Sequence, residues 1–127
     1  MDKTVLVVPD FALGARILEI LDQSSLKISV AMWLRISEYE DWRFVLASPL
    51  LGGAEPFKAY GLVHDALERA ELPLEHTPPL LILTMSDPFV RTLRRISGKA
   101  KSVEGMRLGG QVIGDCFVED AIVYRIQ

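Results

Sequence analysis

The densest run of one chemical type in the chain is cationic. Arg91, Arg94, Arg95, Lys99 and Lys101 follow one another with no acid before Glu104, and Arg107 comes next. Ser86-Asp87-Pro88 carries a capping residue and a first-turn proline, so a helix is predicted from there through Ile96. Spacings of three and four then put Arg91, Arg94 and Arg95 on one helix face. Guanidinium groups so placed hold phosphates, or a partner's carboxylates, in bidentate hydrogen bonds. Cations in a last helical turn also meet the negative end of the helix dipole, so a solvated structural face is the competing reading. No aromatic residue interleaves the stripe as a base-stacking platform requires. The anion- or partner-binding candidates are therefore Arg91, Arg94, Arg95, Lys99 and Lys101.

A second set is acidic: Asp115, Glu119 and Asp120, in and after the turn dipeptide Gly114-Asp115. In a regular strand Glu119 and Asp120 point to opposite faces and cannot share one metal ion unless a bulge intervenes. An inward carboxylate needs a partner, and Arg107, diagonal to Asp120 across the hairpin, predicts an internal ion pair. His64 falls on the inward side of a helix and His76 in a proline-rich loop, so with Cys116 they form no ligand motif, and no metal site is expected. Neither Ser48 nor Ser86 sits in a G-x-S-x-G elbow. Gly52-Gly53 and Gly109-Gly110 lack the phosphate-loop patterns, and no cofactor is expected. Gly109-Gly110 within a strand signals a bulge or the close approach of another group, with Trp33 or Trp42 as candidates. Trp33, Tyr39 and Trp42 surround a hairpin and are either core residues or the anchors of an interface.

These residues must be held by a definite set of elements. Val5 to Val8 can form a short strand. Asp10 caps a helix with Leu13, Ile17, Ile20 and Leu21 inward. From Lys27 the period becomes two, with Ile28, Val30, Met32, Leu34 and Ile36 on one face and Ser29, Ala31, Trp33 and Arg35 on the other. Trp42 to Ser48 returns as the second strand of a hairpin. Pro56 opens a helix carrying Tyr60, Val63, His64, Leu67 and Ala70 on one side. The unalternating run Leu80 to Met85 suits a strand covered on both faces and is placed near the sheet centre. The arginine-bearing helix turns Phe89, Leu93 and Ile96 inward and stops at Gly98. Met106 to Ile126 supplies two antiparallel strands. The expected fold is a single α+β domain with three helices and a mixed, mostly antiparallel sheet of about five strands, in the order α-β-β-α-β-α-β-β.

Composition bounds what such a domain can do. The 127 residues are 50% hydrophobic and 24% charged, enough for one core without disulfides or metal. The net charge of −3 opposes whole-molecule attraction to nucleic acid or anionic lipid, leaving only local patches. One cysteine permits no intrachain disulfide and fits a reducing compartment. The apolar run near the N-terminus is too short for a signal peptide, and no run approaches the ~18 residues of a membrane span, so a cytoplasmic protein without membrane contact is expected.

The run Asp41-Trp42-Arg43-Phe44-Val45-Leu46-Ala47-Ser48-Pro49 with a tyrosine-bearing helix after it, together with Val118-Glu119-Asp120-Ala121-Ile122-Val123-Tyr124-Arg125-Ile126, resembles small uncharacterised bacterial proteins. The resemblance spans most of the chain, implies a bacterial origin and carries over no functional residue. With no catalytic constellation in view, the expectation is a noncatalytic protein-interaction or regulatory subunit. It would act as a homodimer, through the aromatic hairpin or an edge strand, or with another protein. Nucleic-acid or phosphate-ligand binding through the basic helix is one alternative. A metal-dependent hydrolase or nuclease using Asp115, Glu119 or Asp120 is the other.

Overall fold

The computed structural model describes residues 10–37, 41–51, 56–97 and 104–127. Helix α1, Phe11–Gln23, starts where the Asp10 carboxylate accepts a hydrogen bond from the Leu13 amide at 3.0 Å. Its buried stripe is Gly14, Ile17, Ile20 and Leu21. Strands β1, Val30–Ile36, and β2, Arg43–Ala47, pair antiparallel with Val30 opposite Ala47 and Leu34 opposite Arg43. Helix α2, Pro56–Arg69, and a 3-10 turn at Leu74–His76 lead to β3, Leu80–Leu83, which runs parallel to β2. Helix α3, Pro88–Ser97, precedes the antiparallel strands β4, Gln111–Ile113, and β5, Cys116–Ile126.

The sheet order is β3-β2-β1-β5-β4, with one parallel pair and the rest antiparallel. The chain is a single α+β domain, and its element order is the one expected from the sequence. The expected strand at residues 5–8 lies outside the described residues.

One position in the sheet differs. β3 is an edge strand and not a central one, because burial on both faces reports layers above and below and says nothing of lateral neighbours. Its faces are covered as expected: Leu80 and Ile82 pack on the α1–α2 side, Leu81 and Leu83 on the α3 side. The outward amide of Ile82 donates to the Tyr60 hydroxyl of α2 at 3.1 Å, which blunts an edge otherwise open to pairing.

Two cores sandwich the sheet. Ala31, Trp33, Phe44, Leu46, Leu80 and Ile122 meet α1 and α2 through Ile17, Leu21, Val63 and Leu67. On the other face Val30, Met32, Leu34, Val45, Ala47 and Val123 meet Phe89, Val90 and Leu93 of α3. The alternation read in β1 is thus real from Val30 to Ile36, with both faces buried, but Ile28 precedes the strand and packs in the α1–α2 core, opposite to its expected face.

β5 is not regular. Val118 and Ala121 both belong to the α3-side core although they stand three residues apart, and so do Val123 and Ile126. Period-two alternation forbids this without an extra residue, and the β1–β5 register slips at both places. Glu119 with Asp120, and Tyr124 with Arg125, therefore leave the α3-side face as pairs. Gly109 lies opposite the first bulge, where a β-carbon would come within 3.0 Å of the Glu119 carbonyl oxygen. The close approach expected at Gly109-Gly110 is made by the β5 backbone and not by a tryptophan.

The second bulge fastens α1. Tyr124 accepts from the Trp33 indole N–H at 3.2 Å and donates to the Phe11 carbonyl oxygen at 2.9 Å. Arg125 pairs with Asp22 of α1 at 2.8 Å. Gly14 lies under the Tyr124 ring, where a β-carbon would overlap the phenol. Burial pushes the Tyr124 phenol above its ordinary value, the Trp33 hydrogen bond opposes this, and the Asp10 charge adds to it.

Gly14→Ala is expected to cost about 1–3 kcal/mol by overpacking. Gly61→Ala, in the middle of α2 with nothing described within 4 Å, is expected to stabilise by about 0.5–1 kcal/mol. Urea unfolding of both variants checks the pair. The folded chain holds the Tyr124 proton more tightly than the unfolded chain. That contribution is therefore intact below pH ~10 and is lost as pH rises beyond it. Denaturation midpoints should fall above that pH, and less so in Tyr124→Phe, which itself costs about 1–2 kcal/mol at neutral pH.

Candidate functional site

Helix α3 begins as its sequence dictates: the Asp87 carboxylate accepts from the Phe89 amide at 2.9 Å, and Pro88 occupies the first turn. Its buried face is Phe89, Val90, Leu93 and Ser97. The helix is rotated toward Val90 relative to the expected stripe, which leaves Ile96 on the rim, 54% exposed. Opposite this face stand Arg91, Arg94 and Arg95, all exposed. Lys99 and Lys101 lie outside the described residues.

The arginines of α3 differ from the others. Arg35 pairs with Glu119 at 3.4 Å, Arg69 with Asp65 at 3.5 Å, Arg107 with Asp120 at 2.6 Å and Arg125 with Asp22 at 2.8 Å. Arg16 donates to the Ala70 carbonyl oxygen at 3.2 Å, and Arg43 is engaged as well. Within α3, Arg94 donates through Nε to the main-chain oxygen of Gln127 at 2.7 Å. The side chains of Arg91 and Arg95 have no hydrogen bond or ion pair with any described residue. Two guanidinium groups, those of Arg91 and Arg95, thus stand on this face without a partner among the described residues.

The tryptophans do not form a surface. Trp33 is 1% exposed and Trp42 7%. Trp33 packs edge-on against Phe44 with ring centres 5.1 Å apart. The polar-looking face of β1 lies under α1 and α2, and both residues belong to the core there. Tyr39 lies outside the described residues.

The acidic set is built differently from expectation. The bulge places Glu119 and Asp120 off the same face, yet each faces its own arginine, Arg35 and Arg107. The Arg107–Asp120 pair exists, with two contacts at 2.6 and 3.3 Å, but it is not internal: the Arg107 side chain is 62% exposed. Arg107 bridges to Ile122 in the segment that leads into β4 along the sheet edge. His64 is half-buried at the rim of α2 rather than turned inward, and His76 is exposed. Among the described residues no three histidine, cysteine, aspartate or glutamate side chains converge as a metal site requires. No described helix is long and apolar enough to cross a membrane.

One surface escaped the sequence reading. Phe57, Gly61, His64, Asp65 and Glu68 form the outward stripe of α2, opposite the buried Ala59, Val63, Ala66 and Leu67. Phe57 is 92% exposed, and the other four line a shallow depression of ≈ 320 Å³. Its signal was present as an aromatic and a glycine at helical spacing off the core stripe.

No protein-family model matches the chain, and neither a curated protein nor a solved structure matches it. The site must therefore be read from its chemistry alone. Because the Arg107–Asp120 pair is mostly solvated, Arg107→Ala is expected to cost less than about 1 kcal/mol in urea unfolding, whereas breaking a buried pair would cost about 3–5 kcal/mol.

Proposed function

We propose that this chain is a noncatalytic interaction module that docks through the outer face of α3 on an acidic protein surface. The observation that supports it is the exposed stripe Arg91, Arg94 and Arg95, in which the Arg91 and Arg95 guanidinium groups have no partner among the described residues while the chain's other arginines are all engaged. Guanidinium groups spaced along one helix face suit carboxylates on a partner, because each offers a planar fork of donors. Lys99 and Lys101 extend the same charge along the sequence.

Two features favour an acidic protein over nucleic acid. The chain carries a net charge of −3, so an extended polyanion meets repulsion outside the stripe. The stripe also carries no aromatic ring on which a base could stack. A cytosolic setting belongs to this reading and is supported by the single cysteine.

The test uses a glutamate-rich peptide and a mixed-sequence RNA as probes, by fluorescence anisotropy at low and moderate salt. The peptide should bind with strong salt dependence, and Arg91→Glu with Arg95→Glu should weaken it by about tenfold or more. Binding of RNA alone, with the same variant abolishing it, would replace this reading with a nucleic-acid one. Binding of neither probe would remove it.

A further inference from the structure

Resting on the α3 reading above, we infer that the acidic surface α3 recognises is the outer stripe of α2 on a second copy of the same chain. The contact would be head-to-tail, α3 of one molecule on α2 of the next.

The chemistry of the two stripes is reciprocal. α2 presents the Phe57 ring, 92% exposed, and beyond it the Asp65 and Glu68 carboxylates. Aromatic faces and carboxylates are the two groups that bind guanidinium best, the first by cation–π attraction and the second by bidentate hydrogen bonds. α3 presents guanidinium groups and little else. The repeats also agree: Asp65 and Glu68 stand three residues apart, as do Arg91 and Arg94, which is about 4.5 Å along either helix axis.

Gly61 adds an independent observation. A glycine in a helix interior costs about 0.5–1 kcal/mol relative to alanine. No described group of this chain approaches the space its side chain would fill, so nothing internal requires it. What it does is open the depression between Phe57 and the two carboxylates, lined by Gly61, His64, Asp65 and Glu68. A long arginine side chain fits such a notch. Glu68 has no ion pair among the described residues, and Asp65 has only an exposed one with Arg69 at 3.5 Å, which can be exchanged at little cost.

The two stripes cannot satisfy each other within one molecule. α2 packs in the core on one face of the sheet and α3 in the core on the other. Complementary patches on opposite sides of a subunit make a heterologous contact, which closes into a ring or extends into an open chain. A single helix-on-helix contact buries little area, so the association is weak and depends on concentration and salt.

Sedimentation equilibrium tests this with three proteins: wild type, an α3 variant (Arg91→Glu with Arg95→Glu) and an α2 variant (Asp65→Asn with Glu68→Gln). Circular dichroism first checks that both variants fold, as exposed substitutions should allow. Wild type should associate beyond a dimer at low salt, with the association constant falling about tenfold or more at high salt. Each variant alone should be monomeric. Their equimolar mixture should stop at a heterodimer, because each retains one working face. A wild type that stays monomeric, or an association that survives in either variant alone, would overturn the inference. A monomeric wild type that still binds the glutamate-rich peptide through Arg91 and Arg95 would leave the α3 reading intact and place its partner elsewhere.

Discussion

β1 is enclosed on every side, and the rest of the molecule follows from that. Trp33 and Ala31 project into one core, Val30, Met32 and Leu34 into the other, and β2 and β5 occupy its two edges. A strand so placed cannot be stable with helices on one face only, since the opposite apolar face would meet water at roughly 25 cal/mol for each Å² exposed. The chain therefore supplies α1 and α2 to one side and α3 to the other. β5, the partner of β1 along its whole length, accepts two bulges, and the second of these delivers Tyr124 and Arg125 to α1. The outward faces of α2 and α3 point away from each other as a direct result.

Much of this was legible. The alternation from Val30 to Ile36, the Asp10 and Asp87 caps and the Gly114 turn all act locally, and local chemistry is what a sequence displays most openly. Gly114 is in the left-handed region at φ +63, the conformation that the first central position of such a turn needs. The diagonal pairing of Arg107 with Asp120 was legible for the same reason, since hairpin register follows from the turn.

What was not legible depends on neighbours distant in sequence. An apolar strand such as Leu80–Leu83 reads identically at the centre or the edge of a sheet when both faces are covered. The exposure of Arg107 was set by its place on the sheet edge beside β5, and the burial of Trp33 and Trp42 by two helices lying over a face that reads as half polar. The bulges in β5 follow from fitting its core residues to β1. Ile96 sits at the rim because Val90 draws α3 round. The stripe on α2 was missed because it consists of residues with ordinary individual explanations: an exposed phenylalanine, a helical glycine, two solvated acids. Only their alignment on one face sets them apart.

The inferred self-association places this positional asymmetry at its centre, with cationic and aromatic-acidic faces turned outward on opposite sides of one sheet. Backbone amide chemical shifts, compared by NMR at low and high protein concentration, test that claim most directly. The account predicts concentration-dependent shifts along the outer stripes of α2 and α3, from Phe57 to Glu68 and from Arg91 to Arg95, that vanish in high salt. Unchanged spectra on both helices, or shifts gathered instead on the exposed Val112 and Phe117 of the β4–β5 hairpin, would contradict it.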